Sequence, residues 1–150
     1  MVFSVAYHFL RNTALAEEVA QDIFLELFRS LPALQSHAHL KAWLRRSTVN
    51  RCIDQSRKRA YRNEAPLSGV NERSNAAEYP DVFEREALRK QVAALPEEQR
   101  AVVILRYGES LMPEEIAELL TMPVNSVKSR LARALQTLRR KLIRKRELTQ

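Results

Sequence analysis

PEEIAELLTMPVNSVKSRLARALQTLRRK, Pro113 to Lys141, is the stretch whose reading settles the fold class. Pro113 suits a first helical position, where its missing amide would be unpaired anyway. Glu114 and Glu115 then place carboxylates at the positive end of the helix dipole. Ile116, Ala117 and Leu120 give this short helix one apolar side, running to Leu120. Thr121-Met122-Pro123 breaks it. Val124 opens a longer helix to about Arg146, with Val127, Leu131, Leu135, Leu138 and Leu142 as its inner seam. A short helix, a tight break and a longer basic helix form the helix-turn-helix pattern, whose second helix enters the major groove by its N-terminal half. Asn125, Ser126, Lys128, Ser129, Arg130 and Arg133 are the side chains this places at the groove. Arg and Lys pair with guanine edges, Asn pairs with adenine, and Ser and Lys suit phosphates.

Working outward, the rest of the chain also reads as helix. Gly occurs only 2 times in 150 residues, while Leu, Ala, Glu and Arg abound; an all-β chain would need many more turn residues. Val82 to Ala94 is a helix carrying Leu88, Val92 and Leu95. Pro96 starts another, with Glu97 and Glu98 in its first turn, which runs to Tyr107 and stops at Gly108. Residues 63–82 hold Pro66, Gly69, Asn71, Ser74, Asn75 and Pro80 without an apolar period, the composition of a flexible linker. Before it, Phe3, Ala6, Tyr7 and Leu10 recur at helical spacing. After a break at Arg11-Asn12-Thr13, Ala14 to Leu31 forms a long amphipathic helix. Its stripe of Val19, Ile23 and Leu27, flanked by Ala20, Phe24, Phe28 and Leu31, reads as core, with Glu17, Glu18, Gln21 and Asp22 opposite. Pro32 ends it. A connection containing His37 and His39 leads to a third helix, about Leu40 to Arg62. The expected architecture is all-α: two small helical modules, residues 1–62 and 83–146, joined by a flexible linker at 63–82, the second module a helix-turn-helix.

Charge is strongly segregated. Residues 41–62 carry net +7 and 124–150 net +8, whereas 1–40 carry −2 and 63–123 carry −6, within a total of +7. Two separated basic segments outline two polyanion contacts. The first of these holds Trp43, Asn50, Asp54, Arg57, Lys58 and Arg59, and polar Asn50 and Asp54 interrupt an otherwise apolar stripe. An aromatic among basic side chains suits single-stranded or distorted DNA, although Trp43 also reads as a core residue. The only cysteine, Cys52, reads as a small packing residue. No histidine–cysteine spacing suits a metal, no glycine loop cradles phosphate and no nucleophile elbow occurs, so neither cofactor, metal nor catalytic set is expected. The absence of a signal-peptide pattern or a membrane-length apolar run implies a cytoplasmic protein without membrane insertion.

Ala94-Leu-Pro-Glu-Glu-Gln-Arg100, Ile104-Leu-Arg-Tyr107, Glu115-Ile-Ala117 and Val127-Lys-Ser-Arg-Leu131 together resemble region 4 of the sigma-70 superfamily. Ala16-Glu17-Glu18, Gln21-Asp22-Ile-Phe24, Trp43-Leu44, Asn50, and Asp54 followed by Arg57-Lys-Arg59 are similar to region 2. Two such regions with only a short linker between them is the layout of extracytoplasmic-function sigma factors. The resemblance implies partners and roles. Core RNA polymerase would be bound through Glu18, Gln21 and Asp22. The −10 element would be recognised and opened by the loop near Leu34–His39 and by Trp43, Asn50, Asp54, Arg57, Lys58 and Arg59. The duplex −35 element would be read by Asn125, Ser126, Lys128, Ser129, Arg130 and Arg133. An anti-sigma factor is a further expected partner.

Four departures stand out. The first helix is shorter than the family's by a turn or more. Ser47 replaces an apolar residue. Met112 replaces a hydroxyl-bearing helix cap, a loss of about 1 kcal/mol. Thr121 stands where members commonly have Gly, at a left-handed turn position costing about 1–2 kcal/mol for a side chain. Two other readings use the same residues: a free-standing helix-turn-helix regulator acting without polymerase, and a degenerate paralogue that only binds an anti-sigma factor.

Overall fold

A computed structural model describes residues 1–62 and 80–149. Every regular element among them is helical: α1 (Val2–Leu10), α2 (Thr13–Ser30), α3 (His37–Tyr61), α4 (Pro80–Ala93), α5 (Glu97–Val103), α6 (Pro113–Leu120) and α7 (Val124–Thr149). A single 3-10 turn, Leu31–Ala33, carries Pro32 after α2, and a π-type turn, Ile104–Gly108, prolongs α5. Most of the expected linker lies outside the described residues; its end, Pro80 to Val82, is already helical.

The helix ends follow local chemistry. Arg11 adopts a left-handed conformation and donates its backbone N–H to Tyr7, closing α1. Asn12 then caps α2, its side chain accepting from Leu15 N at 2.9 Å. Ser36 caps α3 in the same way, accepting from His39 N at 3.1 Å. His37 and His39 therefore belong to the first turn of α3, and the connection ends at Ser36. Pro96 opens α5, but the helix does not run evenly to Gly108: it widens at Ile104, and the left-handed residue is Ser110.

In the first module α1, α2 and α3 pack around Val2, Val5, Ala6, Phe9, Leu10, Ala16, Val19, Ile23, Val49 and Cys52. The buried face of α1 is thus displaced from the expected one. Phe3 lies outside, its ring stacked on Tyr7 at 6.1 Å. The larger correction concerns α2. Val19 and Ile23 are buried, but Phe24, Phe28 and Leu31 are exposed, Phe28 by 78%. Three helices alone form a core too narrow for a stripe that wide.

The second module is built on Leu95, Val102, Leu105, Ile116, Leu119, Val127, Leu131, Ala134 and Leu138. On α7, Ala134 replaces the expected Leu135 in the seam, and Leu135 is exposed. The two modules touch: α4 and the π-type turn lie against α1, and α5 and α6 lie against α3. Arginines join them. Arg100, on α5, donates to the Phe9 carbonyl at 2.9 Å and to Ser56 Oγ at 3.2 Å while stacking over the Phe9 ring. Arg45 pairs with Glu109 at 3.2 Å, Arg46 donates to the Leu119 carbonyl at 3.0 Å, and Arg11 pairs with Glu86.

Candidate nucleic-acid interface

The helix-turn-helix forms as its sequence requires. Met112 precedes Pro113 with extended backbone, and Glu115 accepts from its backbone N–H at 2.8 Å, replacing part of what a hydroxyl cap would supply. Thr121 closes α6 in a left-handed conformation, with φ 54° and ψ 54°. Its strain is offset locally, because Met122 N reaches back to the Ala117 carbonyl at 3.0 Å and satisfies an end group of the helix. α7 then begins with its N-terminal half facing outward. Asn125, Lys128, Ser129 and Arg133 are exposed and Ser126 is half-exposed. Asn125, Ser129 and Arg133 succeed one another at four-residue spacing and share a face. Arg130 differs from its neighbours. It turns toward α5, paired with Glu98 at 3.2 Å and touching the Met122 sulfur at 3.4 Å.

On α3 the picture is sharper than spacing allowed. Val49 and Cys52 face the core. On the opposite side Asn50, Asp54 and Lys58 recur every four residues and are exposed. Arg57 stands at the edge of this stripe and reaches Glu97 of the second module at 3.6 Å. Two candidates are less open. Trp43 is half-buried and packs against the core. Arg59 lies on the inner side, with one guanidinium nitrogen enclosed and without a hydrogen-bond partner. Beyond them, at the end of the helix, Tyr61 is 92% exposed in an open groove lined by Arg57, Lys58 and Arg62. Counting basic residues drew attention to Arg59 and passed over Tyr61.

A third surface lies on α2. Glu18 and Gln21 are exposed and Asp22 is half-exposed, beside a shallow depression that Asp22 shares with Leu25, Glu26, Arg29 and Arg51. Glu26 and Arg51 are ion-paired across it. Leu25 and Phe28 adjoin this acidic face and are exposed. An apolar cluster ringed by charge is the pattern of a protein-binding surface. The core reading of the α2 stripe concealed it.

Two buried titratable groups belong to the packing. Cys52 is buried, and burial pushes its thiol up to about 12. Burial also lowers the pKa of Arg100. Among the described residues no cluster of His, Cys, Asp and Glu could hold a metal ion, and no helix is long and apolar enough to cross a membrane.

These surfaces coincide with two family profiles. Residues 1–62 match sigma-70 region 2, and residues 85–138 match sigma-70 region 4. The chain belongs to the extracytoplasmic-function sigma factors of the sigma-70 superfamily. Among this sigma factor's relatives, the ECF RNA polymerase sigma factor SigW of Bacillus subtilis is 27% identical over 94% of this chain and 82% of its own length. The ECF sigma factor SigE of Mycolicibacterium smegmatis is 32% identical over 92% of this chain, which spans 56% of that longer protein. A solved structure, the sigma factor RpoE of Bartonella quintana with the anti-sigma factor NepR, superimposes with a TM-score of 0.73 over 94% of this sigma factor and 89% of that chain. At 21% identity, that likeness speaks for the fold.

Proposed function

We propose that this sigma factor reads promoters at two points while held on core RNA polymerase. Residues 1–62 act as the polymerase- and −10-binding module, 83–146 as the −35-binding module, and 63–82 as the tether. The single observation that carries this reading is that the first module turns two unlike faces outward. One is acidic and apolar on α2, with Glu18, Gln21, Asp22, Leu25 and Phe28; the other is the polar, cationic stripe on α3. A regulator that only bound duplex DNA through α7 would have no use for the first.

In this reading Glu18, Gln21 and Asp22 meet the polymerase clamp, and Leu25 and Phe28 supply the apolar centre of that contact. Asn50, Asp54, Arg57 and Lys58 meet the separated strand of the −10 element. Trp43 and Arg59 support α3 through packing. Asn125, Ser126, Lys128, Ser129 and Arg133 meet the −35 duplex, with Arg130 joining them once it leaves Glu98. The protein works in the cytoplasm, catalyses no reaction of its own, and is held in reserve by an anti-sigma factor, as in the complex its structural relative forms.

Asp22→Arg tests the polymerase contact. It reverses charge on an accessible position and is expected to weaken core-polymerase binding at least tenfold while leaving duplex affinity unchanged. Intact polymerase binding would remove the clamp assignment and favour the free-standing regulator. Lys128→Ala and Arg130→Ala test the second module. Wild-type duplex affinity in both at physiological salt would displace the groove-facing surface.

A further inference from the structure

Tyr61 is an aromatic ring that no described residue holds. It is 92% exposed at the end of a 25-residue helix, and no hydrogen bond, ion pair or ring contact to it occurs among the described residues. A ring left in water forfeits the burial that normally justifies an aromatic side chain. Its place on the helix is specific. Tyr61 follows Trp43 by 18 residues, which is five turns and about 27 Å of α-helix, so the two positions lie on one line. Between them on the same side stand Asn50, Asp54 and Lys58. Arg57 and Lys58, four and three residues before it, are the helical neighbours whose side chains flank its ring. Arg62 completes the groove.

An aromatic platform edged by cations suits one kind of occupant, a base that is unpaired and offers its face while the adjoining phosphates meet the cations. A paired base keeps its faces within the duplex stack. An acidic peptide would satisfy the cations but leave the ring bare. Trp43, the aromatic that composition singles out for stacking, is half-buried against the core and offers less open ring than Tyr61. We propose that Tyr61 is the stacking residue of α3, receiving one unpaired base at the C-terminal end of the stripe, with Arg57 and Lys58 holding the flanking phosphates. This rests on the reading of α3 as the face that meets single-stranded promoter DNA.

The test uses the full-length chain and a pool of 12-nucleotide single strands of random sequence, because stacking is sequence-tolerant. Tyr61→Ala is expected to lower single-strand affinity by about 5- to 150-fold. Tyr61→Phe and Tyr61→Trp are expected to remain within about twofold of wild type, since the platform and not the hydroxyl is at issue. Affinity for a duplex probe is expected to be the same in all three. Strands carrying 5-iododeoxyuridine are expected to photocross-link to Tyr61, a contact that a merely structural residue would not make. Unchanged single-strand binding by Tyr61→Ala, alongside a loss in Arg57→Ala, overturns the stacking role and leaves the α3 reading standing. Unchanged binding in both overturns the α3 reading, and the stacking proposal falls with it.

Discussion

The first module and the second are similar in size and both are helical, yet they deploy their side chains differently. The second spreads its exposed large apolar residues (Leu88, Tyr107, Met112, Leu135, Ile143 and Leu148) over α4, the π-type turn, the start of α6 and α7, and presents the N-terminal half of α7 to solvent. The first groups exposed Phe24, Leu25 and Phe28 on α2, with Leu31 just after it, and engages much of its positive charge internally. Of the α3 arginines, Arg45 is paired with Glu109, Arg46 with a backbone carbonyl, Arg51 with Glu26 and Arg57 with Glu97. On the exposed face of α7, Lys128 and Arg133 take part in no such bond among the described residues. Net charge alone, +7 for the first basic segment and +8 for the second, makes the two look equivalent. The difference fits the proposed division of labour, in which a protein partner and selected polar contacts complete the first module and the second meets a polyanion with unpaired charge.

This contrast breaks most visibly on α2. Ile23→Ala removes a fully buried side chain and is expected to cost about 2–5 kcal/mol in urea unfolding. Phe28→Ala, five residues on, is expected to leave stability within about 0.5 kcal/mol but to weaken core-polymerase binding by about 2 kcal/mol, the scale of an interface anchor. Should Phe28→Ala cost as much stability as Ile23→Ala, the outward face of α2 is core after all and the contrast disappears.

Arg100 is where the modules are joined, and Arg100→Ala is the next largest change. It strands the Phe9 and Leu95 carbonyls that the guanidinium now satisfies. Loss of these bonds is expected to cost about 2–4 kcal/mol by denaturant unfolding. Arg100→Lys is expected to recover only part of it, because an ammonium cannot serve the three acceptors in their fixed directions. Full retention of stability by Arg100→Ala would show that the modules do not depend on one another.

Charge can be tested through salt. Replacing both Lys128 and Arg133 by Ala is expected to flatten the log–log dependence of duplex affinity on salt by about 2, one step for each phosphate released. Arg45→Ala and Arg51→Ala are expected to leave that slope unchanged and to cost at most about 1 kcal/mol of stability. Equal effects on the slope would mean that the internal pairs of α3 open on DNA and that the two modules are alike in charge.

The smallest expected effect belongs to the turn. Thr121→Gly relieves a left-handed side chain and is expected to stabilise the second module by about 1 kcal/mol, read as a rise in Tm, without altering the first.

Much of this architecture was legible in the residues. Pro113, the break at Thr121–Pro123 and the basic run on α7 specify the helix-turn-helix because each acts locally, through a fixed proline φ, a lost amide or a helix period. The left-handed turn at Thr121 was expected from the resemblance, whose members commonly have Gly there, and the structure has it. What escaped was non-local. Periodicity identifies an apolar face but not how much of it a three-helix module can cover, so Phe24, Phe28 and Leu31 read as core. Spacing groups Arg59 with Arg57 and Lys58, but only the packing of α3 shows that it turns inward and that Tyr61 turns out. The arginine contacts between modules join residues up to 91 positions apart, and no local pattern announces them.

The central claim is that one chain reads two promoter elements for core polymerase. Its most direct test is in vitro transcription with core polymerase on templates randomised upstream of the start site. Transcripts enriched for two separated sequence blocks are predicted, with Arg133→Ala relaxing only the upstream block and Asp54→Ala only the block nearer the start. Output no greater than core polymerase alone, from a chain that still binds duplex DNA, would contradict it.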